Sequence, residues 1–395
     1  MDVITGGGVP ILSWADALDA SAREQAHNLS NLPFAIDHVA LMPDAHAGYG
    51  MPIGGVLFAD RSVVPYAIGV DIGCGVALLE TDLTVDDLRP GDLEALLRSI
   101  ASRVPVGFEK HRGRVDRDRA EDEIGIARPA CVKEEWLLRA LPQLGTLGGG
   151  NHFLEVQRDP KGRVAVMLHS GSRSLGKAIC DAYHRRALAV CTRRHLPLPH
   201  RELAYLPDDE PDHLDYLAAM RFALRFAEVN RARMLDAVEA ALVATTRASR
   251  AARTIEINHN YAALERHVGR DGIAREGFVH RKGAVRAAPG DLVLVPGSMG
   301  TASYVGEGLG NVDAFKTCQH GAGRAMSRTA ARHARSSDEV YAEMERTGVL
   351  LLAGDPRGVA EEAAFAYKDV DRVMALSADL VRPVRRLTPL GVVKG

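Results

Sequence analysis

Val70 to Gly75 reads VDIGCG, and the rest of the chain is organised around it. An apolar segment, Ala67 to Val70, leads in, and Val76 to Leu79 continues as a buried strand. The glycines let the backbone turn sharply, so the Asp71 carboxylate and the Cys74 thiol can aim at one cation. A D-x-x-C spacing also arises by chance, and cysteine is often simply a small buried hydrophobe. The weight comes from four histidines in glycine- or asparagine-rich settings: His152 in GGGNHF, His169 in HSGSR, His259 in INHNY and His320 in HGAGR. One carboxylate, one thiolate and four imidazoles can hold two metal ions and leave one histidine for chemistry.

The 395 residues, 46% hydrophobic and 25% charged, allow one large domain or two average ones. A formal net charge of −2 supplies no global field for nucleic acid, so such a partner needs a local basic surface. The start, MDVITGGGVPILSW, lacks a basic region followed by an apolar core. No apolar run approaches the roughly 20 residues of a membrane span, so the expectation is a cytoplasmic chain without membrane contact. Five cysteines without framework spacing suit a reducing compartment, and Cys131, Cys180 and Cys191 read as packing residues.

Upstream, LMPDAHAGYGMPIGGVLFA reads as strand, loop and strand, with Asp44 and His46 on the loop; an Asx-type turn is the plainer reading of Asp44. A helix is predicted over Asp92 to Ser102, burying Leu93, Leu96, Leu97 and Ile100. EKHRGRVDRDRAED, Glu109 to Asp122, is a solvated loop or, through Arg112, Arg114, Arg117 and Arg119, a contact strip for RNA phosphates. In LGTLGGGNHFLEV three consecutive glycines imply close approach of backbone to something, and a ligand fits. An ideal strand would turn His152 away from Asn151 and Glu155.

The strand Arg163 to His169 runs through SGSRSLG into a helix beginning near Leu175, a natural anion site to which Arg173 adds a bidentate donor. Residues 177–250 read as mostly helical, with Leu217, Met220, Leu224, Val229 and Leu235 in a stripe for core packing. Arg185, Arg186, Arg193 and Arg194 form a solvated face or an RNA surface. In FVHRKGAVRA, His280, Arg281 and Lys282 either meet phosphates or lie on an exposed hairpin. PGSMGTASYVGEG offers Gly297, Ser298, Gly300, Thr301 and Ser303 to phosphate or nucleotide. In CQHGAGRAMSR, two glycines and Arg324 on a helix start would hold a phosphate against His320.

Taken together, PDAHAGYGMPIGG, VDIGCG, LGGGNHFLEV, HSGSRSLG, INHNYA, VHRKGA, PGSMGTASYV, HGAGRAMSR and AYKDVDRV closely resemble, in order, the motifs of the RtcB family of GTP-dependent RNA ligases. The resemblance runs from about residue 36 to the last. It implies a single large α+β domain, mixed β-sheets around the active site with peripheral helices and a helical insertion at about 177–250. It implies two manganese ions bridged by Cys74, one completed by Asp71, His169 and His259, the other holding His152. His320 matches the histidine that becomes guanylylated. Asn151, Glu155, Arg324, Tyr367 and Lys394 match residues around the guanylate, with Lys394 at the base and Asp44 near the GTP site. Ser298, Met299, Thr301, Ser303, Gly321, Ala322 and Gly323 complete the implied nucleotide contacts, and Arg173 and Lys282 the RNA phosphate contacts.

The implied activity joins RNA 2′,3′-cyclic phosphate or 3′-phosphate ends to 5′-hydroxyl ends, in a monomer that an archease-type activator can assist. One departure is that the family's D-V-H-P-G reads D-A-H-A-G here, which puts the loop's stiffness in question rather than its chemistry. Intrinsic affinity of thiolate and imidazole favours zinc or copper over manganese. The rival readings are a binuclear metallophosphoesterase and a non-catalytic RNA-binding repair factor.

Overall fold

The chain passes between two mixed sheets three times, and the site lies where they meet. The computed structural model describes residues 1–112, 115–248 and 251–395. The first sheet has six strands, in the order Asp2–Ile4, Ile11–Ser13, Ala35–His46, Ile53–Ala59, Ala274–Lys282 and Asn260–Val268. Only the Ile11–Ser13 pairing with Ala35–His46 is parallel within it. The second sheet runs Ala251–Asn258, Gly75–Thr84, Arg163–Ser170, Phe153–Arg158, Val381–Lys394, Ser303–Gly308 and Leu292–Val295, with Leu350–Ala353 parallel to Val381–Lys394. The architecture is α+β, as the sequence led one to expect.

Val76 to Leu79 is apolar at every position because both faces of its strand are covered. Ala77 and Leu79 pack with Met234, Leu235 and Val238 of the helix Pro211–Thr245, while Val76 and Leu78 meet Met167, Ile255 and Leu294. That is the two-residue alternation of a strand read inside a continuous hydrophobic run. The helix Asp92–Arg103 covers the same layer with Leu96, Leu97 and Ile100, the face predicted for it.

Between 177 and 250 the described residues form two long helices, Arg173–Arg193 and Pro211–Thr245, joined through a 3-10 turn at Arg201–Leu203 and a short strand, Leu206–Pro207. Of the expected stripe, Met220, Val229 and Leu235 are buried and Leu217 and Leu224 half-buried. The long helix is enclosed more widely than a stripe, and its interior includes Asn230 and Arg231.

The ladder registers line up strand ends. Asn258 pairs with Gly75 and Gly75 with Ser170, and one rung along His169 pairs with Phe153 and Phe153 with Lys394, forming a cross-strand row stepped by one residue at an edge of the second sheet. Cys74 immediately precedes that row, His152 precedes Phe153, and His259 follows Asn258. His259 is also the hinge between sheets, because the strand Asn260–Val268 of the first sheet starts at the next residue. In the first sheet Asn260 pairs with Lys282 and Lys282 with Gly55, so a second row of ends abuts the first.

Candidate active site

Three donors meet beneath the cross-strand row. Cys74 Sγ lies 3.4 Å from His152 Nε2 and 3.2 Å from His169 Nε2. The donor atoms of these buried residues all fall within 4.8 Å of one another. His169 Nε2 is 3.4 Å from His259 Nε2, and Asp71 Oδ2 is 3.2 Å from His152 Nε2. Asp71 thus sits beside His152, and His169 beside His259, with Cys74 between the pairs. The resemblance grouped Asp71 with His169 and His259, and in the fold Asp71 lies beside His152.

The imidazoles are oriented from behind. His152 Nδ1 donates to Leu147 O at 2.9 Å and His169 Nδ1 to Asn151 O at 3.1 Å, which leaves each Nε2 lone pair facing Cys74. Second contacts of this kind are what a metal-binding histidine requires. Burial, then the neighbouring Asp71 carboxylate, pushes the Cys74 thiol up, and burial holds His169 and His259 well below the ordinary imidazole range. Neutral imidazoles are ready to ligate, and a divalent cation is the missing charge that would draw the thiolate out. Burial raises the Asp71 carboxyl, but hydrogen bonding to His152 and the charges of His152 and Arg173 outweigh it and keep the group low. The residues fit a divalent metal.

His320 follows the short strand Thr317–Gln319, which pairs with Ala284–Arg286. Its Nδ1 donates to Asp44 Oδ2 at 2.6 Å, and its backbone nitrogen donates to the same oxygen at 3.2 Å. No protein partner holds His320 Nε2 among the described residues. Its ring is 4.8 Å, centroid to centroid, from that of His259. Asp44 is not on a loop: the strand Ala35–His46 continues through it, with its register broken between Leu41 and His46. That bulge turns the Asp44 carboxylate inward, fully buried. Gly323 makes room, since a Cβ there would fall 2.3 Å from Asp44 O.

A cavity of about 800 Å³ opens above the metal donors, with Asp71, Cys74, His169, His259 and His320 in its wall. Asn151, Glu155, Lys282, Ser298, Met299, Ser303, Gly321, Ala322, Gly323, Arg324, Tyr367 and Lys394 line it too. His152, Asp44, Thr301 and Arg173 stand behind it. Thr301 Oγ1 accepts from Ser298 N at 2.7 Å and so shapes the loop. The strand begins only at Phe153, so Asn151 and Glu155 face the cavity while His152 drops below. Burial pushes the Glu155 carboxyl up to about 8.

The expected helix start at Arg324 is absent; the helix begins at Arg328, and Arg324 forms an antiparallel bridge with Tyr367 instead. The organiser here is Glu362, which carries no signal in the sequence. This buried carboxylate accepts from Tyr367 Oη, lies 3.4 Å from Arg324 Nη1 and 3.0 Å from Arg328 Nε, and is 3.8 Å from Lys394 Nζ. Lys394 Nζ also donates to His152 O at 3.1 Å. Glu362 stands five residues before Tyr367 among plain acidic and alanine residues, and no motif marks it.

Asn230 and Arg231 were equally hidden. Asn230 Oδ1 accepts from Gly145 N at 2.8 Å and Thr146 N at 3.2 Å, and its Nδ2 donates to Gly171 O at 3.0 Å. Arg231 donates to Gly73 O at 2.9 Å, Ser170 O at 3.1 Å, Asn258 Oδ1 at 2.7 Å and Glu256 Oε1 at 2.8 Å. Two adjacent residues of the long helix therefore hold the chain beside Cys74, His152, His169 and His259. The helix carries polar residues along its whole length, so nothing in the sequence marked these two.

The anion at the start of the helix Arg173–Arg193 is internal: Asp71 Oδ1 accepts from Ser172 N at 3.1 Å. Arg173 Nη1 lies 3.2 Å from His152 Nδ1, in space that exists because residue 148 is glycine; a Cβ there would meet the guanidinium at 2.1 Å. The triple glycine's close approach is thus to protein. Lys282 is buried, donating to Tyr49 O and to Met51 O at 2.9 Å. His280 and Arg281 are buried as well, which removes both the exposed hairpin and their phosphate contacts. Arg117, Arg119, Arg186, Arg193 and Arg194 are ion-paired with acidic neighbours. Arg114 lies outside the described residues.

A family model described as tRNA-splicing ligase RtcB matches residues 25–395. The RNA-splicing ligase RtcB of Escherichia coli strain K12 is 38% identical, over 100% of this chain and 99% of that protein. The RNA-splicing ligase RtcB of Mycobacterium tuberculosis strain H37Rv is 36% identical over 94% of this chain and 100% of that protein. The tRNA-splicing ligase RtcB of Thermococcus kodakarensis is 36% identical over 94% of this chain and 90% of that protein.

Proposed function

The chain belongs to the RtcB family, and on that premise we propose that it is an RNA ligase that activates 3′-phosphate ends with GTP through His320 and joins them to 5′-hydroxyl ends. The observation that carries this reading is the 2.6 Å bond from His320 Nδ1 to buried Asp44, beside the Cys74–His152–His169 cluster. It fixes the tautomer. With Nδ1–H committed, Nε2 keeps its lone pair, faces the cavity, and can act as nucleophile.

In the proposed reaction Nε2 attacks the α-phosphorus of GTP, the bond to the bridging oxygen breaks, and pyrophosphate leaves. The imidazole turns cationic as the N–P bond forms, and Asp44 stabilises that charge without taking the proton. A 2′,3′-cyclic phosphate is opened by water to a 3′-phosphate. An oxygen of that phosphate then displaces His320 and takes the guanylate, and a 5′-hydroxyl finally displaces GMP to form the phosphodiester. Lys394, Tyr367 and Arg324, held by Glu362, position the guanylate, with Lys394 at the base and Asn151 and Glu155 beside it, Glu155 on the neighbouring strand.

Two manganese ions would be held by Asp71, Cys74, His152, His169 and His259. When bound they would neutralise phosphate charge in the cavity. Arg173 and Lys282 complete the reading as supports beneath RNA phosphates. Among the described residues no helix is long and apolar enough to cross a membrane. A cytoplasmic monomer served by an archease-type activator completes the reading.

The test is incubation with α-labelled GTP and manganese. The wild type acquires an acid-labile, base-stable label and His320→Ala acquires none. A metallophosphoesterase using the same donors would carry no label, and that result would end the ligase reading.

A further inference from the structure

Phe108 is the one aromatic side chain that the fold leaves wholly in water: its exposure is 101%, against 63% for Tyr49, the next most exposed of the large aromatics described as exposed. Solvating a whole phenyl ring is unfavourable, and an aromatic face can take up a stacked base. The turn that presents it is held on both sides. Gly107 N donates to Gly148 O at 2.9 Å, Leu147 N to Pro105 O at 2.9 Å, and Glu109 N to Val106 O at 3.1 Å. Beyond the turn, His111 N donates to Pro142 O at 3.1 Å, and the His111 ring engages Gly145 O at 3.1 Å. The backbone that presents the ring is therefore held in place.

Lys110 and Arg112 are exposed, and neither has a hydrogen-bond or ion-pair partner among the described residues, whereas Arg117 and Arg119 a few positions on are both ion-paired. The turn is also fastened to the glycine loop that forms the cavity rim. That loop runs from Gly148 into Asn151, which lines the cavity.

We propose that Phe108, Lys110 and Arg112 form a landing platform for single-stranded RNA, with one base stacked on the Phe108 ring and adjacent phosphates on the two cations. The proposal rests on the ligase reading for the identity of the strand. An RNA whose reacting phosphate is in the cavity has to cross its rim, and this rim offers an aromatic face with paired positive charge. Stacking on an aromatic tolerates any base, and cations follow the backbone, so the platform takes RNA ends without sequence preference.

The experiment measures binding of fluorescent single-stranded RNA bearing a 3′-phosphate by anisotropy, beside GTP-dependent label transfer to the protein. Phe108→Ala is expected to weaken RNA binding and raise the KM for RNA about tenfold, while label transfer stays at the wild-type rate. Phe108→Tyr should restore binding. Lys110→Ala/Arg112→Ala should flatten the plot of log affinity against log salt by about 1.4, near 0.7 for each single-strand phosphate that no longer meets a cation. Unchanged affinity and salt slope in both variants would overturn the platform, as would a Phe108→Ala effect confined to self-association or to capture of a protein partner. Absence of label in the wild type would instead remove the ligase reading, and the anisotropy series would still decide whether this rim holds RNA.

Discussion

Asp44 Oδ2 receives two hydrogen bonds from His320, one from Nδ1 at 2.6 Å and one from the backbone nitrogen at 3.2 Å, across 276 residues of chain. The carboxylate fixes the plane and the tautomer of the imidazole together. Asp44→Asn keeps the shape but offers an amide where a negative charge is needed. Label transfer from GTP is expected to slow on the order of a hundredfold or more. Metal content should stay at the wild-type value, and a rate within threefold of wild type would remove Asp44 from the mechanism.

Glu362 gathers Arg324, Tyr367 and Lys394 from three separated segments. Replacing it with glutamine leaves the Lys394 ammonium buried without its carboxylate and releases the Tyr367 hydroxyl. The KM for GTP in label transfer is expected to rise about tenfold, which corresponds to about 1.4 kcal/mol. The rate at saturating GTP should change little, because His320 and Asp44 lie elsewhere. A fall in that rate with unchanged KM would contradict the assignment.

Arg231 is fully buried and donates four hydrogen bonds to the segments carrying the metal donors. Arg231→Met strands Gly73 O and Ser170 O without donors, at a cost on the order of 3 kcal/mol. Urea unfolding should shift by that amount, and manganese affinity should fall with it. Intact metal affinity would reduce Arg231 to a packing residue.

The metal donors come together only in the folded chain, so a cation that binds them stabilises it. At a hundredfold excess over its dissociation constant the gain is about 2.7 kcal/mol. A chelator should lower the melting temperature, and manganese should restore it. Cys74→Ala is expected to abolish this response, whereas His320→Ala should keep it.

Glu265 gives the acid limb. Burial alone would raise its carboxyl, but hydrogen bonds from His267 and Arg281, with the Arg281 charge, hold it at about 2. A carboxyl depressed in the fold contributes stability above its unfolded value of about 4.3, and that contribution disappears as pH falls from there through about 2. The contribution at neutral pH is on the order of 3 kcal/mol. Glu265→Gln should therefore be less stable than wild type at pH 7, with the gap closing below pH 4.

Much of the site was legible because metal chemistry restricts both residue type and setting. Asp71, Cys74, His152, His169 and His259 each carry a group that ligates, in a run whose glycines or asparagines disturb regular structure. Their grouping was not legible, since it depends on the registers that place Gly75 opposite both Asn258 and Ser170. Arg281 shows the opposite failure. Its neighbours His280 and Lys282 suggested a basic surface, yet all three are buried, because the Ala274–Lys282 strand lies inside the first sheet between two others. Arg281 there donates to Phe315 O at 3.0 Å and Thr317 Oγ1 at 2.9 Å, bracing the segment that leads to His320. A buried charge with a dedicated partner looks, in sequence, like an exposed one. Asn230, Arg231 and Glu362 escaped for the same reason: their work is to hold other residues, and nothing about a helix or an acidic pair announces it.

The cross-strand row has a kinetic consequence. Its contacts are distant along the chain, 78 residues from Cys74 to His152 and 90 from His169 to His259. Such closures carry their entropic cost before they return any favourable contact, and topologies built on them fold slowly. A fragment holds every donor only if it reaches from Asp71 to His259, so cation uptake during refolding should follow the slow closure of that span and serve as a clock for it.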